Sequence, residues 1–182
     1  MSNETFIRCC APTMGRLKTG NMFSVAFDSR EQMIKELRQL NRMLRKKGLC
    51  ILPLRWQECR ALLYLYRPRL LENDLRDSLS QQLLRECGYH AGTAASCVAQ
   101  LIARLRSSGE FPHEVGLFLG YPPKDVDGFM HHKDACKLCG LWKVYDDVEG
   151  AQRQFARCRH CTEVYLHCLA QGFPLDRLAV AG

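Results

Sequence analysis

The stretch Phe111–Pro122, FPHEVGLFLGYP, constrains the fold most, because it holds a helix start and a helix stop within twelve residues. Pro112 suits the first helical position, where its missing N–H is no loss, and Glu114 places negative charge in the first turn. Gly120 and the prolines that follow it then end the helix. We therefore predict a short buried helix with His113 in its first turn, where the helix dipole favours a neutral imidazole. A histidine that merely caps the helix is the alternative.

Length and composition indicate a folded chain with no membrane span. At 182 residues, of which 47% are hydrophobic, the chain can build a substantial core. The start, MSNETFIRCC, has no apolar segment of a signal peptide, and the longest apolar run, Ala61–Tyr66, is too short to cross a bilayer. We expect a cytoplasmic location, where the eleven cysteines act as core thiols, metal ligands or reactive groups. The net charge of +7 favours an anionic ligand or partner.

Apolar periodicity predicts a mostly helical α+β fold. Asp28 or Ser29 can cap a helix that runs to about Lys47 and ends at Gly48. Further helices are predicted over residues 70–87, 93–107, 123–132 and 148–169.

Three short segments rich in Ile, Leu, Val and Tyr predict strands, namely Leu49–Leu54, Arg60–Arg67 and Leu141–Tyr145. The first two form a hairpin. We expect a single domain over residues 1–182, with about three antiparallel strands covered by helices. Its parts are an N-terminal segment with a CCAPT motif (1–27), a helix, hairpin and helical core (28–132) and a thiol-pair, strand and helix end (133–182).

The CCAPT motif places Cys10 just before Pro12. If Pro12 opens a helical turn, the free N–H groups and the nearby cations Arg8, Arg16 and Lys18 would stabilise a thiolate and lower the pKa of Cys10. The alternative is a flexible arm whose thiols are exposed or packed.

A thiol nucleophile needs a base, and His113 is the candidate. Cys10, His113 and Glu114 are therefore the candidate catalytic residues of a hydrolase or transferase of amide or thioester bonds. Tyr121, Thr13 and Lys18 are the candidate cofactor-binding residues. The sequence does not establish that Cys10 and His113 meet.

Four cysteines have the spacing C-x2-C-x18-C-x2-C, which is typical of a tetrahedral zinc site. They are Cys136, Cys139, Cys158 and Cys161. With four protein ligands the zinc would be structural, because no position stays open for a substrate. The helical register opposes this interpretation, since it places Cys158 on the apolar stripe of the last helix.

The segments CAPTMGRLKTGNMF, RALLYLYRP, FPHEVGLFLGYP and CKLCGLWKVY together resemble a bacterial family, the domain of unknown function family numbered 3793. Its PHE and LGYP motifs correspond here to Pro112–Glu114 and Leu119–Pro122. The resemblance covers nearly the whole chain and implies no established activity. It implies a setting in anaerobic bacteria near flavodoxin or iron-uptake genes, and only one cysteine of each pair is usual in the family.

Three functions remain open. The first is a binding or accessory protein in redox or metal metabolism, with His113, Glu114, Tyr121 and Cys10 lining one pocket and a flavodoxin-type protein as redox partner. The second is the cysteine-nucleophile enzyme. The third is a zinc-stabilised module that binds an anionic macromolecule. Tyr64 and Tyr66 beside Arg67 could stack on nucleic acid, but alternating aromatic residues on a strand are more typical of a core.

Overall fold

The computed structural model describes residues 2–107 and 111–182. They form two compact units. The first unit takes the chain up to Pro68 together with Cys158–Gly182, and the second is Arg69–Arg157. A compact unit need not fold alone, so the prediction of one domain over residues 1–182 stays a prediction.

Helices and a three-stranded sheet build the first unit. Helix α1 is capped by Ser2, whose hydroxyl accepts a hydrogen bond from the Thr5 amide. Helix α2 is capped by Ser29, as predicted, and a 3-10 turn at Arg45–Lys47 continues it to Gly48. The elements are α1 (Asn3–Met14), β1 (Gly20–Ala26), α2 (Arg30–Leu44), β2 (Cys50–Trp56) and β3 (Arg60–Tyr66).

The sheet is antiparallel with strand order β1-β3-β2, and Tyr66 of β3 faces Gly20 on one side and Cys50 on the other. The predicted hairpin is confirmed as β2 and β3. The third strand, however, is β1, which lies within the segment 1–27 that carries few periodic signals. The predicted strand Leu141–Tyr145 instead contributes only two residues, Lys143–Val144, to a separate hairpin.

Helix α1 replaces the short turn predicted at Pro12. Its residues Phe6, Ile7, Cys10 and Met14 are buried in the core of the first unit. Pro12 lies in the last turn of the helix, where its missing N–H removes only one hydrogen bond of the ladder.

Arg67 ties the ends of several segments of the first unit together. It is buried, and its guanidinium donates to the carbonyl oxygens of Thr13 at 2.8 Å, Met14 at 2.6 Å, Lys47 at 3.1 Å and Val180 at 2.8 Å. Carbonyl oxygens compensate part of the cost of burying a cation. Arg67 is therefore a core residue rather than a surface contact for nucleic acid.

The second unit is a set of short helices and a two-stranded hairpin. Helix α4 begins at Asp77, whose carboxylate accepts from the amides of Leu79 and Ser80 at 3.0 Å. The elements are α3 (Pro68–Asp74), α4 (Ser78–Glu86), α5 (Ala94–Ser107), α6 (Val115–Phe118), α7 (Pro123–His131), β4 (Leu138–Cys139) and β5 (Lys143–Val144).

The long helix α8 (Val148–Ala170) runs without a break, and α9 (Leu175–Leu178) follows it. Residues 148–157 of α8 belong to the second unit and residues 158–170 to the first. The predicted fold class is confirmed: the chain is α+β and mostly helical, with a small antiparallel sheet of three strands. Across residues 2–107 and 111–182, the structure contains no helix with the length and apolar character of a membrane span.

Candidate ligand pocket

The PHE and LGYP segments of the second unit form a tight turn around α6. The helix is one turn long, and His113 precedes it instead of lying in its first turn as predicted, because residues 112–114 form a turn before the helix. Gly120 has φ of 73°, a conformation that favours glycine, and the Tyr121 amide donates to the Gly116 carbonyl at 3.0 Å. The turn directs the chain into Pro123, the first residue of α7.

A cavity of about 230 Å³ lies beside this turn. Its walls come from the α6 turn, from α7 and from the β4–β5 hairpin. The lining residues are His113, Val115, Gly116, Tyr121, Asp125, Val126, Phe129, Trp142 and Lys143. The structure thus places His113 and Tyr121, both singled out from the sequence, at one pocket.

Aromatic rings form most of the pocket wall. Tyr121 stacks on Trp142 with ring centroids 5.0 Å apart and planes at 28°, while His113 meets Phe129 edge to face at 4.9 Å. The Lys143 ammonium lies 5.3 Å from the centroid of Phe129. Flat rings and one exposed cation at the same cavity suit a planar ligand with an anionic substituent.

Asp125 holds the pocket wall in place. Its side chain is buried, and the carboxylate accepts from the Trp142 indole N–H at 2.7 Å and from the amides of Tyr145 at 2.7 Å and Asp146 at 3.1 Å. Three donors satisfy a buried carboxylate and orient the indole ring. Sequence reasoning missed Asp125 and Trp142. The sequence shows an acidic residue in the first turn of α7, but it does not show that its hydrogen-bond partners lie 17 to 21 residues further along the chain.

Glu114 is directed away from this pocket. It is buried, and its Oε1 accepts from the Tyr89 hydroxyl at 3.1 Å and from Arg104 Nε at 2.9 Å. Arg104 also donates to the Cys87 carbonyl at 2.6 Å. Burial and the Glu114 carboxylate raise the pKa of the Cys87 thiol to about 11. Glu114 therefore has a structural role, in which it joins α6 to the ends of α4 and α5, and its catalytic role stays a prediction.

His113 also lines a second cavity, of about 260 Å³. His113, Glu114 and Arg104 line it together with Cys87 and His131. Because Arg104 already pairs with Glu114, this cavity offers less uncompensated charge to a ligand than the first.

Cys10 does not have the exposed, low-pKa thiol of a nucleophile. Its side chain is 0% exposed in the core of the first unit. Burial and the neighbouring Cys9 raise the pKa of Cys10 well above the ordinary thiol value, although Lys18 opposes this. The predicted lowering of the Cys10 pKa is wrong, because the sulfur faces the core rather than the free N–H groups of a helix start.

Thr13 and Lys18, the other predicted cofactor ligands, are also core residues of the first unit. Thr13 is fully buried in α1. Lys18 is 9% exposed and donates to Asn21 Oδ1 at 2.7 Å. Burial lowers the pKa of Lys18 to about 8. Both side chains are held within the packing of their own unit.

The four thiols of the predicted zinc site differ in their surroundings. Cys136 and Cys139 have sulfur atoms 3.7 Å apart. Cys158 is buried on α8, and the Cys161 thiol donates to the Ala11 carbonyl at 3.5 Å. Within the part of the chain that the structure describes, no three His, Cys, Asp or Glu side chains are grouped to hold a metal ion. A zinc site therefore stays a sequence prediction without geometric support.

No curated protein and no solved structure matches this chain. A family model does match it, over residues 6–179, and confirms the resemblance inferred from the sequence motifs. Both the α6 turn and the β4–β5 hairpin lie inside the matched range. The chain belongs to the family described as Protein of unknown function (DUF3793).

Proposed function

We propose that this chain is a cytoplasmic binding protein that holds a small planar anion in the pocket beside His113. The observation that carries the proposal is the aromatic wall of the cavity, in which Tyr121 stacks on Trp142 beside Lys143. A cavity of about 230 Å³ is smaller than the roughly 300–1,000 Å³ of typical ligand sites. It therefore suits a ligand of one or two fused rings, or the ring portion of a larger molecule.

Each part of the pocket has a separate task in this proposal. The apolar rings of Tyr121, Trp142 and Phe129 supply stacking surface, while Lys143 supplies the charge that selects an anion. Asp125 keeps the indole in position through its 2.7 Å hydrogen bond. The net charge of +7 also favours an anionic ligand over a cationic one.

The cellular setting is part of the proposal. An odd number of cysteines, eleven in all, supports a reducing compartment such as the cytoplasm. The resemblance in the PHE and LGYP motifs supports redox or metal metabolism, and a flavodoxin-type partner stays a prediction. The cysteine-nucleophile alternative has less support, since the Cys10 thiol is buried with a raised pKa.

Fluorescence of Trp142 tests the proposal directly. The chain has two tryptophans, so Trp56→Phe leaves Trp142 as the one indole reporter. Titration with 2-naphthalenesulfonate, a planar anion, should change its emission and saturate. The neutral 2-naphthol, which has the same rings, should bind more weakly. No response to either compound at about 1 mM would contradict the proposal.

Variants separate stacking from charge. Lys143→Gln should weaken binding of the sulfonate about fivefold, or about 1 kcal/mol, and leave binding of 2-naphthol unchanged. Lys137→Gln is the matched control, because Lys137 is an exposed lysine that directs its amine to the Asp146 carbonyl. Tyr121→Leu should weaken the binding of both compounds, by about 0.5–1.5 kcal/mol. If Lys143→Gln and Lys137→Gln lose the same affinity for the sulfonate, net charge and not the pocket attracts the probe.

A further inference from the structure

Cys136 and Cys139 form a close thiol pair at the start of the β4–β5 hairpin. Their sulfur atoms lie 3.7 Å apart, with Cys139 exposed and Cys136 half-buried. Since the sulfur atoms of a disulfide are about 2.05 Å apart, closing this pair requires an approach of about 1.7 Å. Rotation of the two side chains can supply a movement of this size.

The hairpin holds the backbone around the pair. The Lys137 amide donates to the Val144 carbonyl at 2.9 Å, and the Gly140 amide donates to the Trp142 carbonyl at 3.0 Å. These bonds lie on either side of Cys139, and the first is adjacent to Cys136, so the backbone at both thiols is restricted. Such preorganisation raises the effective concentration of one thiol at the other.

Charge and access single out Cys139 as the sulfur that a partner reaches first. Lys143 stands directly opposite Cys139 across the hairpin, and a nearby ammonium favours a thiolate. The hydrogen bond with Cys136 raises the pKa of Cys139, and Lys143 opposes that rise.

A second pair with the same spacing, Cys158 and Cys161, has no exposed member. Both residues lie on α8, where Cys158 is buried and the Cys161 thiol donates to the Ala11 carbonyl. Burial raises the pKa of Cys161 to about 11. The spacing C-x2-C is thus not sufficient for a reactive dithiol, and the helical pair is an internal control for the hairpin pair.

We infer that Cys136 and Cys139 are a dithiol site that undergoes exchange with a disulfide substrate. The Cys139 thiolate attacks one sulfur of the substrate, the substrate S–S bond breaks and one thiolate leaves. Cys136 then gives its proton to solvent and attacks the Cys139 sulfur, which forms the Cys136–Cys139 disulfide and releases the second thiolate. The protein dithiol loses two electrons, and the substrate disulfide gains them.

Mass mapping of the full-length protein tests this site, and its readout does not depend on a ligand in the pocket. The reduced protein is equilibrated with reduced and oxidised glutathione in the presence of a chelator, alkylated under denaturing conditions and digested. A peptide pair linked through Cys136 and Cys139 is expected, while Cys158 and Cys161 stay alkylated. The inference is overturned if Cys136 and Cys139 stay free across the whole range of glutathione ratios, or if all four thiols oxidise together.

Single variants separate the two steps. In Cys136→Ser the second attack is impossible, so glutathione should accumulate on Cys139 as a stable mixed disulfide. Lys143→Gln should slow this first step severalfold relative to the Lys137→Gln control. Circular dichroism of each variant checks that the chain is folded. Absence of the mixed disulfide from folded Cys136→Ser would also overturn the inference.

Discussion

Burial changes what individual residues of this chain can do. The sequence interpretation used Lys18 as a surface cation that could stabilise a Cys10 thiolate or bind a cofactor. In the structure Lys18 is 9% exposed and Cys10 is 0% exposed, and both are packed in the first unit. Burial removes water from the ammonium and the thiol, and this loss of hydration favours the neutral form of each group. The pKa of Lys18 is accordingly lowered to about 8, and that of Cys10 is raised.

The buried lysine predicts a pH dependence of stability. Below about pH 8 the ammonium is charged in both the folded and the unfolded chain, and its burial destabilises the fold. Between pH of about 8 and 10.5, the ordinary pKa of lysine, the unfolded chain binds more protons than the folded chain. The contribution of Lys18 to the free energy of unfolding therefore increases with pH over this range. Relative to that of Lys18→Met, the free energy of unfolding of the wild type should increase by on the order of 2 kcal/mol between about pH 7 and 9.5.

Urea unfolding of both proteins at each pH measures this difference. Thiols that ionise over the same range are present in both proteins, so their effects largely cancel. Lys35→Met is the control, because Lys35 lies on the exposed face of α2 and pairs with Glu31 at 3.2 Å. Its difference from the wild type should not vary with pH. If the difference in free energy of unfolding between Lys18→Met and the wild type is also independent of pH, the lowered pKa of Lys18 is contradicted.

At the scale of elements, the pocket depends on how closely α7 approaches the β4–β5 hairpin and the residues after it. Gly128 of α7 makes that approach possible. A Cβ atom at this position would lie 2.3 Å from Cγ of Tyr145, which is closer than atoms can pack. Asp125, about one turn before Gly128, and Phe129, the residue directly after it, line the pocket from the same helix.

We therefore expect Gly128→Ala to destabilise the protein by about 1–3 kcal/mol, since the Tyr145 ring must move. In an ordinary helix interior the same change stabilises by up to about 1 kcal/mol. The sign of the effect in urea unfolding thus reports the close contact. Binding of 2-naphthalenesulfonate should weaken as well, because the hairpin carries Trp142 and Lys143.

The neighbouring variant Asp127→Ala controls for helix propensity. The Asp127 carboxylate contacts His131 at 2.8 Å on the partly exposed face of α7, so its removal should stay within about 0.5 kcal/mol of wild type. Stabilisation by Gly128→Ala, or an equal effect of both variants, would argue against the packing described for Gly128.

At the scale of the whole molecule, the reactivity of the eleven cysteines reports which parts of the fold unfold locally. Cys59 and Cys139 are exposed, whereas Cys10, Cys97 and Cys158 are buried. Alkylation of the native protein should modify the two exposed thiols first. The three buried thiols should react only through opening of the fold, at rates that fall as the free energy of unfolding rises.

Timed alkylation followed by mass mapping measures the order in which the thiols react. In guanidinium chloride all eleven thiols should react at similar rates, which is the control for intrinsic reactivity. Native alkylation of Cys10 as fast as that of Cys59 would contradict its burial. It would also restore the cysteine-nucleophile alternative.

Several features of the fold and the pocket were predictable because they depend on neighbours in the chain. The cap at Ser29, the stop at Gly48, the β2–β3 hairpin and the long helix α8 all follow from local propensity and apolar periodicity. The turn at Gly120 follows from the need for a positive φ, and the predicted end of the helix at this glycine is confirmed. The strand β1 was missed because its polar Asn21 and Ser24 weaken the alternation that marks a strand.

The sequence by itself therefore determined the fold class, the family, most helix boundaries and the position of the PHE and LGYP turn. Only the tertiary structure decided that Cys10 and Lys18 are core residues, that Glu114 pairs with Arg104 and that Asp125 orients Trp142. The reason is physical: periodicity and capping arise from interactions within a few residues, whereas burial and its effect on a pKa depend on atoms that are distant in the chain. The thiol pairs give the clearest case, since identical spacing places one pair on a hairpin, where Cys139 is exposed, and the other on a helix, where Cys158 is buried.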